Sequence, residues 1–177
     1  MATVQIRVEG RDRVGLVAAI AGRLFDLGFN LGDTAFSVLG TGFEFSTVAD
    51  LPEGRIAKEV ERELQSLPAL SGCIVQVRPF TFEPVHADTG RATHRIRVTG
   101  GDQPGLLARL TETFVDFQAN VVRLHSERIP DARGARYATQ IDVAIPAGRT
   151  EACLAAIANT AEQLHLDCTW VALAPLS

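Results

Sequence analysis

The chain has 177 residues, a length that suits one or two domains. Hydrophobic residues make up 46% and charged residues 21%, which is typical of globular proteins and argues against wholesale disorder. Lys and Arg number 17 against 21 Asp and Glu, and this net charge of -4 argues against direct nucleic-acid binding, which needs a basic surface.

Targeting and redox features favour a cytoplasmic protein. The sequence has no run of 18 apolar residues, so it predicts no membrane span. Its N-terminus alternates as a strand does and is not typical of a signal peptide. The three cysteines, Cys73, Cys153 and Cys168, are odd in number and far apart, which indicates free thiols in a reducing compartment.

The first half of the chain predicts a strand, a helix, a hairpin, a second helix and a fourth strand. Apolar and polar residues alternate in the first strand, whereas Leu16, Ile20 and Leu24 recur at helical spacing. The glycine-rich turn at 40–42 is typical of a hairpin, and Pro68 ends the second helix. The predicted elements span 4–8, 16–27, 31–39, 43–49, 56–67 and 73–77.

The second half repeats this order. When the sequence is shifted by 90 residues, 4–32 align with 94–122 without a gap, and ten of 29 pairs are identical. Chance would give roughly two. The predicted elements of this half span 94–98, 106–117, 121–129, 137–145, 153–164 and 166–173.

This duplication predicts an α+β protein built from two ferredoxin-like βαββαβ modules in tandem. Each module would have an antiparallel sheet with its helices on one face. We expect the modules to span 1–80 and 93–177, with 81–92 as a linker, because that segment has little periodicity and contains Pro84 and Gly90.

The best-preserved segment lies where the first strand of each module meets its first helix. It reads Gly10-Arg-Asp-Arg-Val-Gly-Leu16 and then Gly100-Gly-Asp-Gln-Pro-Gly-Leu106. Free N–H groups at a helix start suit a carboxylate or a phosphate. Alternatively, the aspartates at 12 and 102 cap the helices and the glycines serve packing. No Gly-Lys-Ser/Thr follows in either copy, which argues against a nucleotide loop.

These segments resemble the Asp-Arg-Pro-Gly-Leu-Leu signature of ACT domains, and Asn30-Leu31 and Asn120-Val121 match the same family. ACT domains are βαββαβ modules that commonly pair and bind small effectors, most often amino acids, near the β1–α1 loop at their interface. The tandem arrangement resembles the glycine cleavage system transcriptional repressor family. That resemblance implies glycine or another amino acid as effector, a protein partner such as a transcription activator, and no direct grip on DNA.

The same resemblance implies the residues of the ligand site. Backbone N–H groups at the first-helix starts would bind the effector, and the two asparagines would hold the loop or the amino group of the ligand. The alternative for each asparagine is a left-handed residue at the end of a helix. The predicted ligand-binding residues are Asp12, Val14, Gly15, Leu16, Asn30, Asp102, Pro104, Gly105, Leu106 and Asn120.

No enzymatic machinery is expected. Two modules take up almost the whole chain, and no catalytic residues, cofactor or metal are predicted, since His165 and Cys168 form the only close His/Cys pair.

Strand alternation places Val121, Arg123 and His125 on one face, where the last two either reach a ligand or lie at the surface. We expect a homodimeric regulatory protein. The alternatives are an assembly module without effector binding and a regulatory subunit of an amino-acid metabolic enzyme.

Overall fold

The computed structural model describes residues 2–101, 104–131 and 134–174. The chain divides into two compact units, Met1–Pro84 and Val85–Ser177. This division falls inside the predicted linker. The second part of that linker forms a short 3-10 helix, Asp88–Gly90, which packs against strands of the second unit.

The first unit is a four-stranded antiparallel sheet with two helices. Its elements are β1 Thr3–Arg11, α1 Leu16–Asp26, β2 Leu31–Leu39, β3 Gly42–Asp50, α2 Ala57–Gln65 and β4 Ile74–Pro79. The strand order is β2-β3-β1-β4, so β2 and β4 form the edges.

The second unit repeats this topology. Its elements are β5 His94–Gly101, α3 Leu106–Asp116, β6 Asn120–Asp131, β7 Gly134–Ala144, α4 Thr150–Gln163 and β8 Asp167–Ala172. The strand order is β6-β7-β5-β8 and all pairs are antiparallel. The predicted α+β fold of two βαββαβ modules is therefore confirmed. The β6–β7 hairpin is longer than its counterpart, with strands of 12 and 11 residues against 9 and 9.

Each unit has its own core between one sheet face and its helices. In β1, Val4, Ile6 and Val8 are buried while their neighbours are less so, which is the period-two pattern of a sheet covered on one side. The helices add residues at helical spacing. The first core includes Ile6, Leu16, Ile20, Leu24, Phe45, Val60 and Leu64, and the second includes Ile96, Leu106, Leu110, Phe114, Ile141 and Ile157.

The predicted alternation of β6 is wrong at one position. A bulge shifts the register so that Val121 lies opposite Val143 whereas Arg123 lies opposite Asp142. Neighbouring residues of β7 point to opposite faces, so Val121 packs against the core and Arg123 lies on the face away from it.

Candidate functional site

The β1–α1 loop ends in a left-handed glycine in both units. Gly15 has φ of 91° and Gly105 has φ of 78°, and each is the N-cap residue of its helix. A side chain is rarely tolerated at such φ values, which explains glycine at these positions. Among the described residues, no atom lies within 4 Å of a Cβ added at either position. In the part of the chain that the structure describes, these glycines therefore do not accommodate close approach by another segment, and the space beside them is open.

The alternative role of Asp12 as a helix cap is wrong, because Gly15 occupies that position and Asp12 is exposed. Instead, the backbone N–H of Asp12 donates to the carbonyl oxygen of Thr41 at 2.9 Å. Arg13 Nη2 donates to the carbonyl oxygen of Ser71, also at 2.9 Å. The loop is thus tied to the β2–β3 turn and to the turn before β4. Asp102 lies outside the described residues.

At both helix starts the described residues offer backbone N–H donors. The first helical hydrogen bonds run from Ala19 N–H to Gly15 O at 2.9 Å and from Arg109 N–H to Gly105 O at 3.0 Å. The N–H groups before them are the ones a helix leaves unpaired. The side chains of Leu16 and Leu106 are buried, so these residues can offer a ligand only their N–H groups.

Beside these donors lie exposed side chains of low polarity. Val14 is fully exposed in the first unit, and Pro104 is exposed at the corresponding position of the second. Apart from Asp12, the described loop residues among the predicted ligand contacts carry no acidic side chain.

The predicted left-handed alternative for the two asparagines is wrong. The left-handed residues are Gly28, with φ of 88°, and Gln118, with φ of 55°, each two positions earlier. Asn120 Nδ2 donates to the carbonyl oxygen of Thr89 at 2.7 Å and so fastens the segment that precedes β5. Within the described residues, no hydrogen bond links the side chain of Asn30 or Asn120 to its β1–α1 loop.

Two further glycines, Gly10 and Gly100, are needed for packing. The sequence alone did not distinguish their role from that of the glycines at the helix starts. A Cβ at Gly10 would lie 2.6 Å from Cys73 Sγ and 3.2 Å from Cys73 Cα. A Cβ at Gly100 would overlap the side chain of Leu166 and lie 3.3 Å from its Cα. In the sequence, the only indication that these two glycines are required is that glycine occurs at the same position in both repeats. They hold the start of each loop against the segment that leads into the last strand.

An ion cluster on the sheet of the second unit was missed in the sequence. Asp142 is buried and receives two hydrogen bonds from Arg95, Nε to Oδ1 at 2.7 Å and Nη2 to Oδ2 at 2.8 Å. Arg123 Nη1 lies 3.9 Å from Oδ2. Hydrogen bonding from Arg95 holds the pKa of Asp142 below its ordinary value, against the opposing effect of burial. The cluster ties β5, β6 and β7 together.

Other chemistry is not supported by the described part of the chain. There, no group of three or more His, Cys, Asp or Glu side chains could hold a metal ion. Burial raises the pKa of the Cys153 and Cys168 thiols, which makes them poor nucleophiles. No helix among the described residues is both long enough and apolar enough to cross a bilayer.

The chain contains two matches to the ACT domain, over residues 2–78 and 94–151. Together these matches span about three quarters of the chain. The chain therefore belongs to the ACT domain family and carries two copies of the domain in tandem. Membership in this family supports a regulatory role. No curated protein is significantly similar to the chain.

Two solved structures share the fold over nearly their whole length. One is an unknown protein from Galdieria sulphuraria, with 23% identity, 98% of this chain and 99% of that chain covered, and a TM-score of 0.75. The other is a candidate glycine cleavage system transcriptional repressor, with 15% identity, 97% of each chain covered and a TM-score of 0.63. At these identities the similarity establishes the tandem fold.

Proposed function

We propose that this protein is a non-enzymatic regulator that binds a small amino acid, such as glycine, at its β1–α1 loops. It acts on a transcription factor or an enzyme through protein–protein contact. The observation that carries this proposal is the shared geometry of the two helix starts. In each unit an exposed left-handed glycine precedes the helix, and the space that its Cβ would occupy is open.

The geometry favours the carboxylate of an amino acid as the recognised group. N–H groups at a helix start carry the positive end of the helix dipole and are suited to a small anion. Because Leu16 and Leu106 turn their side chains into the core, binding would depend on the backbone. The backbone donors would recognise the carboxylate that all amino acids share, and the surroundings would limit the size of the side chain.

Regulation requires that the effector bind two states of the protein with different affinity. Couplings of this kind are typically about 1–3 kcal/mol. The β1–α1 loop of the first unit is hydrogen-bonded to the β2–β3 turn and to the turn before β4. A ligand that reorders the loop would therefore act on both turns, which are surfaces that a protein partner could contact.

Isothermal titration calorimetry with glycine, serine and the other standard amino acids tests the proposal. We expect saturable binding of one or a few of them. Gly105→Asp places a carboxylate beside the same N–H groups and should weaken binding at the second unit by about tenfold or more. The new carboxylate would accept hydrogen bonds from these N–H groups and would repel the carboxylate of the ligand.

Two control variants separate charge from backbone effects. Gly105→Asn has nearly the same size and the same left-handed backbone requirement without the charge, so it should weaken binding less. Gly101→Asp adds the same charge at an exposed glycine of β5 whose Cβ would also meet no atom within 4 Å. It should weaken binding less than Gly105→Asp. The proposal is contradicted if the folded protein binds no amino acid. It is also contradicted if the Gly105→Asp and Gly15→Asp variants bind the amino acid as tightly as the wild-type chain does.

A further inference from the structure

The sheet of the second unit packs one face against its helices and carries polar side chains on the other. In β5, Ile96 and Val98 are buried on the core side, so Arg95 and Arg97 lie on the opposite face. The pairing of β5 with β7, and of β7 with β6, extends this polar surface across three strands. This surface, the arginine face, is centred on Arg95, Arg97, Arg123, His125, Gln140 and Asp142.

Asp142 orients the guanidinium groups around it. Its carboxylate accepts two hydrogen bonds from Arg95, and its side chain is only 2% exposed. Arg123 Nη1 lies 3.9 Å from Oδ2 of the same carboxylate, too far for a hydrogen bond, and 72% of the Arg123 side chain is exposed. Two guanidinium groups therefore share one carboxylate, which leaves a net positive charge and N–H donors that can reach a second anion.

The neighbouring row of the arginine face adds a further cation. Arg97 lies opposite Gln140, which lies opposite His125 on β6. Arg97 Nε donates to Gln140 Oε1 at 3.3 Å. Within the described part of the chain, the Nη groups of Arg97 form no hydrogen bond. The donors at the end of this exposed side chain are thus available to a partner.

The first unit lacks this arrangement although its sheet has the same topology. At the corresponding positions, the carboxylate at the centre and the arginine that binds it are replaced by Val48 and Gln5. Arg7 recurs at the place of Arg97, and it lies opposite Ser46. The arginine face is therefore not a requirement of the βαββαβ fold.

We propose that the arginine face is the docking surface for an acidic segment of a protein partner. This inference rests on the proposed function in one respect, namely that the protein acts through contact with another protein. A single segment with several carboxylates can contact the guanidinium groups of both rows at once, and each contact is a charge-assisted hydrogen bond.

The spacing of the cations suits an extended segment. Arg95 and Arg97 are two positions apart on one strand, which separates their backbones by about 7 Å. Alternate side chains of an extended partner segment repeat at the same distance of about 7 Å. Arg123 lies on β6, beyond β7, so its backbone is about 10 Å from that of Arg95.

The surroundings favour a protein over a nucleic acid as the occupant. The Asp142 carboxylate lies between the arginines, and Glu127 Oε1 lies 2.7 Å from His125 Nε2. A phosphate backbone needs a continuous basic surface, which these carboxylates interrupt, and the whole chain has a net charge of -4. Arginine is enriched in protein–protein interfaces, and an arginine that is already held in place loses less conformational entropy on binding.

Fluorescence anisotropy with a labelled hexaglutamate peptide at low ionic strength tests the proposal. We expect saturable binding that weakens as salt is added, and no binding of hexaglutamine. Arg97→Glu should weaken binding by about fivefold or more, because it removes an attraction and adds a repulsion. Arg123→Gln removes one charge at similar length and should weaken binding by about twofold to fivefold.

Arg7→Glu is the matched control, since it makes the same change at the corresponding exposed position of the first unit. It should weaken peptide binding by no more than about twofold. The amino-acid titration of all three variants should match that of the wild-type chain, so this measurement separates a failure at the arginine face from a failure of effector binding.

Three results would refute docking at the arginine face. The first is a folded wild-type chain that does not bind hexaglutamate. The second is an Arg7→Glu variant that loses as much affinity as Arg97→Glu does. The third is preferential binding of a DNA duplex that Arg97→Glu abolishes, which would assign the surface to a nucleic acid.

Discussion

Replacing Gly100 by alanine should destabilise the second unit even though alanine has the higher intrinsic preference for ordered backbone. The new Cβ would overlap the buried side chain of Leu166 and would lie 3.3 Å from Leu166 Cα and 3.4 Å from His165 O. Overpacking of this kind costs about 1–3 kcal/mol. The reduced entropy of the unfolded chain returns about 0.4–1 kcal/mol. We therefore expect a net loss of about 1.3 kcal/mol in the free energy of unfolding, within a range of about 0–2.6 kcal/mol.

The neighbouring Gly101 provides the control. It lies in the same strand, its φ is not positive, and a Cβ there would meet no atom within 4 Å. Gly101→Ala should therefore leave the free energy of unfolding unchanged or raise it by up to about 1 kcal/mol. Urea denaturation followed by the fluorescence of Trp170 reports on the second unit directly, since this tryptophan lies in β8. The protein concentration should be low and equal for all variants.

The reasoning depends on the difference between two adjacent glycines. If Gly100→Ala and Gly101→Ala have the same unfolding midpoint, the contact with Leu166 does not limit residue size at position 100. A Gly100→Ala variant that is more stable than the wild-type chain would refute the packing argument outright. Shortening the obstructing side chain by Leu166→Ala should make the Gly100→Ala substitution less costly in a double-mutant cycle.

The remaining predictions concern titratable side chains. The pKa of Asp142 is lower in the folded chain than its ordinary 3.8, so the pairing with Arg95 stabilises the fold above that pH and is lost as the pH falls through the folded value. The urea midpoint of the second unit should therefore fall below about pH 4, and Asp142→Asn should reduce this dependence; an unchanged pH profile would contradict it. Cys153 is fully buried, and burial raises the pKa of its thiol. A thiol reagent at neutral pH should therefore label Cys153 only after unfolding. Rapid labelling of Cys153 in the native state would contradict its buried position.

Local sequence patterns were sufficient for the fold class and for the position of the loops. Helical spacing of Leu16, Ile20 and Leu24 and the alternation in β1 each identify a core face from residues close in the chain. The repeat then extended this assignment to the second half. The same local information could not assign the role of Asp12, because a capping aspartate and an exposed one occupy the same place in the sequence.

Other features depend on residues that are distant in the chain. Arg95 and Asp142 are 47 positions apart, and their pairing requires the register of β5 against β7. Because of the bulge in β6, Val121 and Arg123 lie on opposite faces of the sheet and not on the same face as expected. No residue type in this segment predicts the bulge.

The sequence by itself determined the duplication, the α+β class and the glycine-rich loop before each first helix, because periodicity and turn residues act over short distances. The tertiary structure alone decided which glycines are needed for φ and which for packing. It also decided that Arg95 lies opposite Asp142 in the sheet of the second unit. These properties depend on strand register, which many weak contacts set together and which no single segment encodes.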